Sequence, residues 1–181
     1  MKGIIFSEFV EMVEDSFSPE IADEIISESE LASGGAYTSV GNYDYREMLA
    51  LITKLSEKTG IAVEELVIQF GAYMFRRFYE LYPEFFQGSS TAFDFLASIE
   101  EHVHVEVLNL YPDAELPSFD ISRPGPETLV MVYRSQRPVA TMALGLMQGC
   151  IKHYGEDVSI TQEDFSTAEQ SHVRFTLQRQ R

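Results

Sequence analysis

The chain changes from helical to extended patterning within residues 104–137, HVEVLNLYPDAELPSFDISRPGPETLVMVYRSQR. The first part continues a helix predicted from Thr91 to Tyr111, which Pro112 ends. The last part, Thr128–Arg137, has the β-branched content and the length of a strand. Because helices come first and strands follow, the sequence predicts an α+β fold.

The segments on either side of this stretch fit the same fold class. Apolar residues recur at three- and four-residue steps upstream, as in amphipathic helices. Predicted helices cover residues 5–17, 19–26, 45–59, 63–82 and 91–111, with a glycine-containing loop at 32–43. Downstream, we predict a strand at 119–121, a turn at 123–126, a helix at 139–154 and strands at 158–162 and 172–178.

The composition limits the function classes. The net charge is −16, which repels nucleic-acid backbones and anionic lipid, so neither is an expected partner. Cys150 is the one cysteine, which excludes an internal disulfide and a cysteine-rich zinc site, and we expect it to be a small buried residue. No signal peptide or membrane-spanning run is recognisable, so we expect a soluble cytoplasmic protein.

Two of the four histidines lie close together on the helix predicted at residues 91–111. His102 and His104 are two positions apart, about 200° around a regular helix, so they cannot both bind one metal ion. Both helix faces mix apolar and polar residues, and periodicity favours His104 only slightly. A hydrogen-bonded core or surface histidine is the ordinary alternative.

A polar row on the predicted strand at residues 128–137 is the second candidate site. Tyr133, Ser135 and Arg137 alternate, so their side chains leave the same face over roughly 13 Å. The row could bind two carboxylates, with the Arg137 guanidinium as the charged anchor. A solvated strand face is the alternative interpretation.

Together these features resemble the H-NOX (haem–nitric oxide/oxygen binding) family. The similar elements are His104, Pro117 and the Tyr-x-Ser-x-Arg row at residues 133–137. MKGIIFSEF at 1–9, SEKTG at 56–60, YPEFF at 82–86 and GLMQG at 145–149 also look like the family. The resemblance implies haem b (iron protoporphyrin IX) bound between an N-terminal helical lobe, residues 1–60, and a second lobe, residues 61–181. The family's iron ligand lies seven residues before the Tyr-Pro that closes its helix, which selects His104.

The resemblance also implies which gas is bound. It implies that the haem propionates are bound by Tyr133, Ser135 and Arg137. It also implies that Phe9, Met74 and Met142 occupy the positions at which oxygen-binding relatives have a distal tyrosine and other polar groups. Phe78 and Leu146 would complete this wall, and none of the five donates a hydrogen bond. Oxygen on ferrous haem gains strongly from such a donor and nitric oxide does not, so we expect nitric oxide and carbon monoxide as ligands.

Signal output is expected to pass to another protein. By resemblance, Pro117 and Ile5 press on the porphyrin, and gas binding would relax it and shift one lobe against the other. Because the sequence ends at Arg181 with the domain, we expect a separate effector, a histidine kinase or a diguanylate cyclase/phosphodiesterase. We expect no enzymatic activity. A peroxidase-like haem enzyme and a metal-free module for an apolar ligand are the alternatives.

Overall fold

The computed structural model describes residues 1–180 and has the predicted α+β architecture. Its helices are α1 Gly3–Ser16, α2 Pro19–Ser27, α3 Tyr45–Thr59, α4 Val63–Leu81, α5 Ala92–Ala97, α6 His104–Leu110 and α7 Ala140–Tyr154. Its strands are β1 Ser118–Gly125, β2 Thr128–Ser135, β3 Val158–Asp164 and β4 Ser171–Arg179. The helical half precedes the sheet, as the sequence predicts.

The four strands form one antiparallel sheet in the order β1-β2-β4-β3. In β2, Leu129, Met131 and Tyr133 are buried, while the residues between them are half-buried. This alternation follows from the two-residue period of a strand, and one face of the sheet therefore packs against the core. Tyr133 stands opposite Phe119 of β1 and Val173 of β4.

The helix predicted at residues 91–111 is divided into three parts. Between α5 and α6, residues Ile99–Val103 form a π turn, in which the His104 amide bonds to the Ile99 carbonyl five residues back. The prediction of one continuous helix over residues 91–111 was therefore wrong. The reason is that hydrophobic periodicity does not distinguish a single π turn from an α-helical turn. Single π turns occur frequently at functional sites.

Two sheet boundaries also differ from the prediction. The expected turn at residues 123–126 is largely strand, because β1 continues to Gly125. Pro124 is tolerated since β1 is an edge strand, and its pairing with β2 shifts between Ser122 and Gly125. Conversely, β2 ends at Ser135, where the Ser135 hydroxyl accepts a bond from the Arg137 amide at 3.0 Å. Arg137 therefore lies beyond the strand, in a turn closed by a side chain.

The buried apolar side chains form two clusters. The N-terminal cluster joins α1, α2 and α3 to one part of α4, and it contains Phe6, Phe9, Ile25, Leu51, Leu55, Phe70 and Met74. The C-terminal cluster joins the rest of α4 to α5, α7 and the sheet, and it contains Phe75, Phe93, Leu129, Cys150 and Phe175. Cys150 is fully buried, as expected. Phe78 and Leu146 pack against both clusters, and the division into residues 1–60 and 61–181 stays a prediction.

Glycines let α4 and α7 cross at very short range. A Cβ atom on Gly71 would lie 2.5 Å from the Met142 carbonyl oxygen, and one on Gly145 would lie 2.3 Å from the Ile68 carbonyl oxygen. Both neighbours are backbone atoms, which cannot move aside as a flexible side chain can. The GLMQG segment therefore fixes the position of α7 against α4.

We expect Gly145→Ala to lower the free energy of unfolding by about 1–3 kcal/mol or more, because the added methyl group overpacks a rigid contact. Gly125→Ala is the matched control, since a Cβ atom there meets nothing within 4 Å. Urea denaturation of the two variants measures the difference. Equal stabilities would show that the helices separate without cost.

Candidate functional site

A mostly apolar cavity of about 540 Å³ is lined by residues of both halves of the chain. The volume lies within the range of roughly 300–1,000 Å³ that is usual for small-molecule and cofactor sites. The N-terminal part contributes residues that include Ile5, and the C-terminal part contributes α6, β2 and α7. Such a space can hold a large, flat, apolar group with a few polar attachments.

His104 brings an imidazole to this cavity, whereas His102 is not among the lining residues. The His104 Nδ1 lies 3.1 Å from the Glu100 Oε1, so Nε2 is the nitrogen left for a ligand. Burial lowers the pKa of His104 below its ordinary value, and the Glu100 carboxylate opposes this shift. A neutral imidazole is the form that binds a metal.

The polar row also reaches the cavity, although its groups partly bind one another. Tyr133, Ser135 and Arg137 all line the cavity. The Tyr133 hydroxyl donates to the Arg137 carbonyl at 3.5 Å, and burial raises the pKa of Tyr133, which keeps it a donor. The Arg137 guanidinium forms an ion pair with Glu115, whose side chain is largely exposed. A second carboxylate could therefore compete for Arg137.

The structure brings most of the other predicted residues to the cavity. Among these other predicted residues, the ones that line the cavity are Ile5, Phe78, Pro117, Met142 and Leu146. Phe9 and Met74 are fully buried in the N-terminal cluster and are not lining residues, and the Phe9 ring instead packs edge-on against Phe70 at 5.1 Å. The apolar wall that faces the cavity is thus formed by Phe78, Met142 and Leu146 rather than by all five predicted residues.

The sequence of this chain matches a known protein family over most of its length. The family model described as "Haem-NO-binding" matches residues 2–162. The chain belongs to this family. H-NOX domains are haem-based gas sensors. A mostly apolar lining with one imidazole and the polar side chains of Tyr133, Ser135 and Arg137 is chemically compatible with a haem group. The fold and the resemblance predicted from the sequence are confirmed.

Solved H-NOX structures are similar to this chain over nearly its full length. The unliganded Fe(II) H-NOX protein from K. algicida is 38% identical, with 100% of this chain and 97% of that chain covered at a TM-score of 0.91. The Shewanella woodyi H-NOX, bound to IWP-051 in its Fe(II)CO state, is 39% identical, with coverages of 99% and 95% and a TM-score of 0.85. No functionally curated protein matches the chain.

Several residues of this H-NOX cavity were missed by the sequence analysis. Tyr82 and Tyr111 line it, and their hydroxyls lie 3.1 Å apart. The lining aromatic residues Phe75, Phe85, Phe86, Phe95 and Phe119 were also missed. The YPEFF similarity touches part of this set, but nothing in the residue pattern shows which aromatic rings face a cavity.

Charged residues connect the two parts of the H-NOX domain at the cavity. Lys2 precedes α1 and its Nζ lies 2.6 Å from a carboxylate oxygen of Asp113, which follows α6. The Asn42 amide donates to the same carboxylate. These contacts join the N-terminal part to the segment directly after the helix that carries His104.

Within residues 1–180, no helix is long and apolar enough to cross a membrane.

Proposed function

We propose that this chain is a nitric oxide sensor that holds haem b through His104. The observation that carries the proposal is the His104 imidazole at an apolar cavity, with Nδ1 engaged by Glu100 and Nε2 left free. Neutral histidine is a common axial ligand of haem iron. When bound, the ferrous haem supplies an iron atom that takes up a diatomic gas.

The polar residues at the cavity have a second role in this proposal. Tyr133, Ser135 and Arg137 would bind the haem propionates, which would otherwise be costly to bury. Arg137 contributes most because a charge-assisted bond is roughly twice as strong as a neutral one. Its present partner, Glu115, shows that the guanidinium is accessible to a carboxylate at this place.

The apolar wall would select the gas. Phe78, Met142 and Leu146 offer no hydrogen-bond donor to a ligand in the cavity. Nitric oxide and carbon monoxide lose little without a donor, whereas oxygen loses much of its stabilisation. Phe9 and Met74 lie outside the lining, so their contribution is to pack apolar side chains within the neighbouring cluster. The wall also lacks the histidine or arginine that peroxide cleavage requires, which favours a sensor over a peroxidase-like enzyme.

Signalling would follow from the two parts of the chain that meet at the cavity. Ile5 lies on α1, whereas Pro117 follows α6, and both line the cavity. A change at His104 would alter the contacts of Pro117 and Ile5 and shift the lobe at residues 1–60 against the lobe at 61–181. We infer a separate cytoplasmic effector, a histidine kinase or a diguanylate cyclase/phosphodiesterase, that reads this shift.

Reconstitution with haemin tests the proposal. The purified protein should bind haemin, and after reduction its visible spectrum should change when nitric oxide is added. The rate at which haem dissociates, followed by its transfer to a haem scavenger, then ranks the variants by haem retention. A protein that stays colourless would exclude both haem-based functions and favour the module for an apolar ligand.

We expect Arg137→Ala to weaken haem binding by about tenfold to hundredfold, because a hydrogen bond to a charged group contributes about 1.5–3 kcal/mol. Tyr133→Phe and Ser135→Ala should have smaller effects. Arg134→Ala is the matched control, since Arg134 pairs with Asp120 and does not line the cavity. Unchanged haem retention in Arg137→Ala would mean that the propionates bind elsewhere.

A further inference from the structure

One oxygen atom of Glu100 joins three elements of the site. The Glu100 Oε1 lies 3.1 Å from the His104 Nδ1 and also accepts a hydrogen bond from the Phe119 backbone amide at 2.7 Å. Phe119 belongs to β1 and stands two residues after Pro117. A single carboxylate thus connects the π turn, the histidine at the cavity and the start of the sheet.

The spacing along the chain explains how this contact arises. Side chains four positions apart lie on the same face of a helix, one above the other. Glu100 is inside the turn and His104 directly follows it. Glu101, one position later, has an exposed side chain, and the carboxylate beside His104 is that of Glu100.

We propose that Glu100 is a positioning residue that fixes the tautomer of His104 and strengthens its bond to iron. This inference rests on the proposed function. An ionised carboxylate only accepts hydrogen bonds, so the proton of neutral His104 must be on Nδ1 and the lone pair on Nε2. A carboxylate behind a metal-bound histidine also raises the basicity of the ligand. The Phe119 amide holds the carboxylate in place.

Glu100 thereby opposes the loss of His104 from iron. A more basic imidazole binds iron more tightly, so nitric oxide must act against this contact to release the histidine. Removing the carboxylate should shift the nitric-oxide-treated protein toward molecules in which His104 has left the iron. Glu100 would set how readily the sensor responds, without touching the gas.

The first test uses the protein without haem. In ¹⁵N NMR spectra, the two ring nitrogens of His104 report which one carries the proton. We expect the Nδ1–H tautomer in the wild type and in Glu100→Gln, whose amide oxygen still accepts a hydrogen bond, and loss of this preference in Glu100→Ala. An Nε2–H tautomer in the wild type would overturn the proposal, even if the protein binds haem normally.

The second test uses the haem-loaded protein. Resonance Raman spectra of the ferrous form give the iron–histidine stretching frequency, which should fall from wild type to Glu100→Gln and again to Glu100→Ala. Haem loss from Glu100→Ala should be about tenfold to hundredfold faster, as for other residues behind metal ligands. Glu101→Gln is the matched control and should change neither value.

These readouts separate the possible failures. A purely structural role for Glu100 predicts that Glu100→Gln restores every property, including the stretching frequency, and this result would contradict the proposal. If Glu100→Ala fails to fold, the comparison of wild type with Glu100→Gln still decides the point. If the wild type takes up no haem, the proposed function fails, whereas the tautomer measurement still tests the contact itself.

Discussion

Replacing His104 by glycine should abolish normal iron ligation, whereas replacing His102 by alanine should leave it intact. His104 lines the cavity and has one ring nitrogen available, while His102, two positions earlier, is not a lining residue. Without His104 the described lining offers no other imidazole near the iron position. The ferrous absorption spectrum after reconstitution with haemin measures the difference, and we expect a complete loss of the histidine-ligated form.

Added imidazole provides the internal control for this result. It should restore a nitrogen-ligated spectrum in His104→Gly, because the side-chain deletion leaves a space of matching size. Circular dichroism confirms that both variants are folded before the spectra are compared. Equal loss in both variants, or a loss in His102→Ala alone, would show that the ligand is assigned to the wrong residue.

The histidine assignment shows where sequence patterns reach their limit. Periodicity barely separates His102 from His104 because both faces of that helix are mixed, and the π turn before His104 changes the angular spacing on which such an argument depends. The resemblance uses the distance from His104 to Tyr111-Pro112, which a π turn upstream does not alter. It could therefore select His104 when helical geometry could not.

Elements with strong local signals were predicted well. The bounds of α3 are those predicted, because Asp44 caps its first turn and Gly60 adopts a left-handed conformation at its end. The end of α4 follows from Pro83, which begins the next turn. In these segments a single residue type sets the boundary, so the sequence alone is sufficient.

Features that depend on tertiary contacts were not predicted. Pro124 lies in a strand because β1 happens to be an edge, and strand order is not readable from a local pattern. Phe9 and Met74 lie outside the cavity lining because their apolar side chains satisfy a core as well as a cavity wall. Glu100 looks like an ordinary solvated acid in the sequence, and its bond from the Phe119 amide of β1 depends on a tertiary contact.

We expect the reduced, haem-loaded protein to bind nitric oxide and carbon monoxide but to hold no oxygen stably in air. Phe78, Met142 and Leu146 supply no donor, and a hydrogen bond to a charged acceptor contributes about 1.5–3 kcal/mol. Oxygen binding should therefore be weaker by about tenfold to hundredfold than in the same cavity with a donor in this apolar wall. Visible spectra recorded after admission of each gas measure this.

Two variants decide the cause of the outcome. Met142→Tyr introduces a donor into the apolar wall and should move the protein toward stable oxygen binding, while Met142→Leu is the control without a donor. Tyr82 needs its own test because it lines the cavity and carries a hydroxyl, although this hydroxyl lies 3.1 Å from the Tyr111 hydroxyl. If the wild type does hold oxygen in air, the selectivity claim is wrong, and loss of that binding in Tyr82→Phe would identify Tyr82 as the donor. Tyr73 and Tyr79 are not lining residues, so their phenylalanine variants should behave as the wild type.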